Sequence, residues 1–335
     1  MTLAHKPNTM TSRERFLKTM QYGVPDRVPY FEEGLREDVL ACWRRQGLAS
    51  AAELRRRFPS DRRESIELNL APMPGLDRWP KTLADLDRFR RHLQSSDQGR
   101  LPENWLQRAR TWRQRKHVLM LYVHQGFFLS MGVRDWQRFN EVMLLTMDNP
   151  ELVRQMMQMQ GELAARLTQR LLNEVEIDAA VFSEPIGGND RPLISPEMYT
   201  DLVLQSYTPV RQILQRHGVP VIIFQTYANA ALLLPSILRW GFNCLWACEV
   251  NVEAMDYRHL RSRFGRNLRL IGGIDLDALR RGKDAIKREI ESKVPPLLQE
   301  GGYVPLADGR VRGDVAFESY VYYRQVIQTI TQASA

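Results

Sequence analysis

Carboxylates recur in this 335-residue chain immediately after short apolar runs. Glu184 follows Ala179 to Ser183, Glu249 follows Cys244 to Cys248, Asp275 closes the run that begins at Leu268, and Asp308 follows Tyr303 to Leu306. Glu32 and Glu33 stand after Arg27 to Phe31 in the same way. Acids gathered in a low-dielectric cup raise one another's pKa and must hold protons, bind a metal or meet a cationic ligand. The chemistry they offer is therefore proton transfer or metal coordination. The plainer alternative is that each acid caps the helix after it, accepting from free backbone N–H groups at the positive end of the dipole. His124, just past Val118 to Val123, could act as a general acid or base or ligate a metal, since imidazole titrates near neutrality; a structural hydrogen bond is its plainer use. These residues give an expected catalytic set of Glu184, Glu249, Asp308 and His124. Glu32, Gln125, Asn189, Gln225, Tyr227 and Asp275 are expected to orient substrate.

No metal set can be assigned. Cys244 and Cys248, if on one strand, project to the same face about 13 Å apart, too far to share an ion. They read as buried core thiols, and the C-x-x-C and H-E-x-x-H zinc spacings are missing. An odd total of three cysteines suits free thiols in a reducing compartment.

Positioning these groups requires strands that end together. Eight apolar runs separated by amphipathic stretches predict repeated βα units: Arg27 to Phe31, Ser65 to Leu70, Val118 to Val123, Ala179 to Ser183, Pro220 to Phe224, Cys244 to Cys248, Leu268 to Ile271 and Tyr303 to Leu306. Helices are expected from the capping-box sequence at Thr11, over the long tract Trp136 to Asn173, and over Pro196 to His217, Leu232 to Trp240, Met255 to Phe264, Leu276 to Gly282 and Lys283 to Leu298. Eight strands with intervening helices predict an α/β protein of the (β/α)8 TIM-barrel type, with chemistry on the loops after the strands. Neither G-x-G-x-x-G nor G-x-x-x-x-G-K-[ST] is present, so nucleotide binding by those devices is unsupported. No repeat or linker divides the chain, and residues 1–335 read as a single domain whose first ten residues are disordered.

The hydrophobic fraction is 44% and the charged fraction 26%, globular values, and no apolar run is long enough to span a membrane. The first residues lack a secretory core, so a cytoplasmic location is expected. The net charge of +8 is spread over helical stretches without interleaved aromatics, which argues against nucleic acid and leaves an acidic small molecule admissible.

Five segments carry a family resemblance. Arg13-Glu14-Arg15-Phe16, the Gly23 to Pro29 stretch (GVPDRVP), the Leu193 to Tyr199 stretch (LISPEMY), Gly272-Gly273-Ile274-Asp275 and Gly301-Gly302-Tyr303-Val304-Pro305 followed by Asp308 resemble the uroporphyrinogen decarboxylase and corrinoid-methyltransferase superfamily. The resemblance implies a barrel with an open cup that either decarboxylates a tetrapyrrole or moves a methyl group between a corrinoid and a thiol. The decarboxylases carry R-Q-A-G-R after the first strand to grip carboxylates, where this chain has Phe31-Glu32-Glu33-Gly34-Leu35-Arg36, whose two acids would repel the carboxylates of a porphyrinogen. The zinc-bearing relatives carry H-x-C where this chain has Gln225 and Tyr227. On this reading one-carbon (methyl) transfer is expected, with a corrinoid on a partner protein as donor. The alternatives are a decarboxylase holding its substrate through Arg36, Arg310 and Arg312, and a catalytically retired barrel that binds a ligand or partner. A small-molecule substrate is expected, membrane is not, and a second copy of the chain is admitted as a partner.

Overall fold

The computed structural model describes residues 9–94, 97–188, 190–227, 229–248 and 255–333. It is an α/β fold built on a seven-stranded parallel sheet: β1 Arg63–Glu67, β2 Val118–His124, β3 Ala179–Ser183, β4 Val221–Thr226, β5 Cys244–Ala247, β6 Arg269–Ile274 and β7 Tyr303–Ala307, in the order β1-β2-β3-β4-β5-β6-β7. Strands β2 to β7 read as continuous apolar runs because both faces are covered, the usual condition of a parallel sheet. The chain divides into two compact units. The terminal unit comprises Met1–Arg63, Lys116–Val118 and Cys244–Ala335, and the central unit Glu64–Arg115 and Leu119–Asn243.

The terminal unit opens with the helix Ser12–Met20, whose capping box forms as the sequence predicts. Thr11 Oγ1 accepts from Glu14 N–H at 3.2 Å, and Glu14 Oε2 accepts from Thr11 N–H at 2.8 Å. Of the charged residues of the first two sequence segments, Arg15, Asp26 and Arg27 turn inward. Arg15 Nε donates to Asp26 Oδ1 at 2.7 Å, a further Arg15 nitrogen reaches Asp61, and Arg27 Nη1 donates to Asp61 Oδ2 at 2.6 Å, all with side chains under a tenth exposed. Burial opposes the charge on Asp26, yet the Arg15 guanidinium and the Met10 N–H outweigh it and bring its pKa down to about 2. These motif residues hold the amino-terminal segment in place.

Arg27 to Phe31, expected as the first of eight strands, is extended but unpaired as a strand, so the described residues contain seven strands and no closed eight-stranded ring. Its backbone groups are diverted. Pro29 has no N–H to give, Val28 O accepts from the Arg27 guanidinium, Tyr30 N–H donates to the Asp61 carboxylate, and Tyr30 O accepts from Asp61 N–H. In the same unit β5, β6 and β7 pair in parallel, Leu245 with Leu270 and Leu270 with Tyr303. Tyr257 fastens the first two: its hydroxyl accepts from Ala247 N–H at 3.0 Å and donates to Ile271 O at 2.7 Å. Gly273, at φ +83°, lets that ring lie close, since a Cβ there would come within 2.5 Å of it.

In the central unit β2, β3 and β4 pair in parallel, with Met120 opposite Ala179 and Ala179 opposite Val221. The register slips between Tyr122 and His124, a bulge that re-aims the end of β2. The expected tract Trp136 to Asn173 is two helices, Trp136–Asp148 and Pro150–Leu172. Pro150 cannot continue the first and sits at the start of the second, which Asn149 caps through Leu152 N–H at 3.2 Å. The expected helix Pro196 to His217 is likewise broken, into a turn at Pro196–Met198, a π segment Tyr199–Val203, a 3-10 segment Leu204–Tyr207 and the helix Thr208–Arg216. Among the described residues no helix is long and apolar enough to cross a membrane.

Candidate active site

The carboxyl of Glu184 lies just past β3 in the central unit and is wholly buried. Its Oε1 accepts from Phe127 N–H at 2.8 Å, and its Oε2 accepts from the hydroxyls of Tyr199 at 3.1 Å and Tyr207 at 2.5 Å. Burial pushes its pKa up to about 7, with the three donors pulling the other way. Gly126 makes the approach of the β2 loop possible. At φ +84° it takes a conformation other residues resist, and a Cβ there would stand 2.4 Å from Ser183 O and 2.7 Å from Glu184 Oε1. The two tyrosines flank the π and 3-10 segments; in a regular α-helix their Cα atoms would be about 12 Å apart along the axis. Irregular winding between them accompanies their convergence on a single oxygen.

His124 ends β2 in the same unit, and burial pushes its pKa down to about 3. Its Nδ1 accepts from Gly126 N–H at 3.0 Å, so the neutral ring carries its proton on Nε2. That nitrogen is buried without a hydrogen-bond partner among the described residues, as is Oε1 of Gln225, the residue paired with Ser183 across β3 and β4. The His124 ring packs 4.4 Å from the Tyr207 ring, centroid to centroid. His124 and Glu184 are thus brought together through one loop, the first through Gly126 N–H and the second through Phe127 N–H. Gln125 between them is half-buried, and Tyr227 is exposed.

Asp308 lies just past β7 in the terminal unit. Its Oδ1 accepts from Leu276 N–H at 3.1 Å; its Oδ2 has no hydrogen-bond partner among the described residues, and 7% of the residue is exposed. Burial pushes its pKa up to about 8, and the neighbouring charges of Asp275 and Glu289 push it the same way. Asp275 is a helix cap: its Oδ1 accepts from Asp277 N–H at 2.8 Å and its Oδ2 pairs with Arg281 at 2.9 Å. Glu289 accepts from Asp275 N–H and is neutralised by Lys293 at 2.5 Å. Asp308 is therefore the member of this group with neither an ion-pair partner nor a second hydrogen bond among the described residues, since Asp275 is paired with Arg281 and Glu289, whose contacts both fall on Oε1, with Lys293. The backbone beneath it is held by Tyr323, whose hydroxyl accepts from Ala307 N–H at 3.1 Å.

The acids after Phe31 are neutralised by partners the sequence pattern does not reveal. Glu32 pairs with the Arg324 guanidinium, and Glu33 with Arg63 at 2.5 Å. They do not present bare negative charge, which removes the electrostatic objection to a carboxylated substrate. Glu249 and Asn189 lie outside the described residues. Cys244 and Cys248 are buried thiols that form no disulfide among the described residues, and burial pushes Cys244 up to about 12. Among the described residues no group of three His, Cys, Asp or Glu side chains could hold a metal ion. Gln225 and Tyr227 supply neither the thiolate nor the imidazole that zinc would need. Tyr199, Tyr207, Tyr323 and Arg324 were not anticipated; only Tyr199 falls within a recognised sequence segment.

Residues 131–304, just over half of the chain, match the sequence profile of the family described as uroporphyrinogen decarboxylase (URO-D). No curated protein matches the chain. The match overturns the expectation of methyl transfer from a corrinoid carried by a partner protein, since the profile met is that of the decarboxylases.

Proposed function

Since the chain belongs to the uroporphyrinogen decarboxylase family, we propose that it removes carbon dioxide from a carboxylated organic substrate, with Asp308 supplying the proton that replaces the lost carboxylate. The observation that carries this reading is the geometry of Asp308: one oxygen anchored by a backbone N–H at the end of β7, the other unengaged, in a largely dry setting. The C–C bond to the substrate carboxylate breaks, its electron pair stays on the carbon left behind, and the Asp308 proton passes to that carbon. Water then returns a proton to the aspartate. The sum is one carboxylate and one proton in, one C–H bond and one carbon dioxide out. A conjugated ring next to that carbon would spread the charge, which suits a tetrapyrrole or a smaller pyrrole acid.

Holding the substrate falls to Arg310, exposed and without a partner among the described residues, two positions beyond the acid. Arg36 is already paired with Asp38 at 2.8 Å and Arg312 already interacts elsewhere. Glu184 takes the role of a clasp on the β2 loop, which holds His124 in place, while burial keeps that ring neutral. The same reading treats the chain as one domain of barrel type, with the extended Arg27 to Phe31 segment in the position of a strand, acting in the cytoplasm, where free thiols persist.

The test is carbon dioxide release from uroporphyrinogen and from simple pyrrole acetates by the wild-type chain and by Asp308→Asn. The expected result is turnover of at least one substrate by the wild type and a loss of about 10²–10⁴ in the variant, the usual worth of a positioned acid. Absence of release across the panel, or an unimpaired variant, would overturn the proposal.

A further inference from the structure

Within the terminal unit lies a cavity of about 180 Å³ that the decarboxylase reading does not use. Its walls include Leu35, Leu40, Leu54 and Phe58, and its polar side includes Glu32 and Arg324, with Arg55 among the lining residues. Arg324 is 3% exposed, and its Nη1 serves both Glu32 and, at 3.3 Å, the Tyr320 hydroxyl. A guanidinium has five N–H groups, and those on Nε and Nη2 have no partner among the described residues. The Nε and Nη2 groups form one edge of the planar fork, the edge that grips a carboxylate with two parallel hydrogen bonds. The Phe58 ring, 5.7 Å from the Arg324 Cζ, helps to hold the fork in place.

Charge points the same way. One acid, Glu32, stands against two arginines, and Arg55 is exposed with no partner among the described residues. A purely apolar ligand would leave the buried Arg324 edge unsatisfied, and an inorganic anion would leave the carbon walls bare. A cavity of about 150 Å³ admits benzene, which sets the scale of the body that fits. We propose that this cavity binds a small organic monocarboxylate with a compact apolar body, its carboxylate on the Nε–Nη2 edge of Arg324 and its body against Leu40, Leu54 and Phe58. The site is separate from Asp308, which does not line it, and its test is a binding measurement independent of turnover.

Benzoate and the uncharged benzyl alcohol serve as probes, titrated into the full-length chain by calorimetry and by ligand-observed NMR. The wild type is expected to bind benzoate saturably and at least about tenfold more tightly than benzyl alcohol, the lower end of what charge-assisted hydrogen bonds supply. Ala51→Phe, which fills the cavity, should abolish binding, and Arg55→Gln should weaken it several-fold with an unchanged melting curve. The double variant Glu32→Gln/Arg324→Met, which removes the fork without stranding its partner, should lose benzoate binding and its preference over benzyl alcohol. No saturable benzoate binding, equal binding of the alcohol, or undiminished affinity in a folded Ala51→Phe or Arg55→Gln chain would overturn the proposal. Since Arg55→Gln alters only an exposed side chain, it decides between these outcomes even where the other variants do not fold.

Discussion

Glu184 and Asp308 are both carboxyls placed just past a strand, and in both burial raises the pKa, to about 7 and about 8. They differ in what is left over. Each Glu184 oxygen is engaged, by three donors in all, and the residue has no exposure, whereas Asp308 has one engaged oxygen and one without a hydrogen-bond partner among the described residues. A displaced pKa therefore marks burial and does not by itself mark a working acid. A proton donor also needs an oxygen that is not already engaged, and between these two residues only Asp308 has one among the described residues.

If Glu184 is a clasp, removing it should damage folding before chemistry. Glu184→Ala leaves the Phe127 N–H and two tyrosine hydroxyls without an acceptor in a dry interior, at a cost of roughly 4–6 kcal/mol in total. A denaturation midpoint close to that of the wild type would break the comparison. A somewhat smaller loss, about 3 kcal/mol, is expected for Gly126→Ala, through strain at positive φ and the clash with Ser183 O. Its fingerprint should be faster hydrogen exchange at Phe127 N–H, which the intact clasp protects.

The smallest effect concerns pH. The folded pKa of Asp308 lies above the usual carboxylate range, so the native state binds this proton more tightly than the unfolded chain does. The stability it contributes is complete below about pH 4 and lost as pH rises through about 8. Glu184 has the same sign, with its share lost by about pH 7. Asp308→Asn mimics the protonated acid and should flatten this slope between about pH 4 and pH 8, so that the variant gains stability relative to the wild type as pH rises through that range. Parallel stability curves from pH 5 to 9 would show that Asp308 is not protonated in the native state.

What could be read in advance follows from range. Strands β2 to β7 announce themselves because a strand covered on both faces is a local run of apolar residues, and the Thr11 box because its two bonds span three positions. Arg27 to Phe31 has the same apolar look, but its hydrogen bonds go to Asp61 and to a neighbouring guanidinium, which no local pattern records. The family was legible because its motifs are short contiguous segments, although the ion pairs that bury Arg15 and Arg27 against Asp61 span 46 and 34 positions and were not. The activity was misjudged for the opposite reason. Glu32 and Glu33 looked hostile to a carboxylated substrate, yet the partner of Glu32 lies 292 positions away, and that of Glu33 lies 30. The tyrosine pair on Glu184 was hidden by the π and 3-10 winding between its members, which helical periodicity does not represent.

The most direct test places Asp308→Asn and Glu184→Gln side by side, measuring for each the rate of carbon dioxide release per folded molecule together with the melting temperature. Asp308→Asn should keep its fold and lose about 10²–10⁴ in rate, while Glu184→Gln should lose stability and keep most of its rate in the folded fraction. The reverse pattern, an active Asp308→Asn beside a stable but inactive Glu184→Gln, would contradict the assignment of the acid.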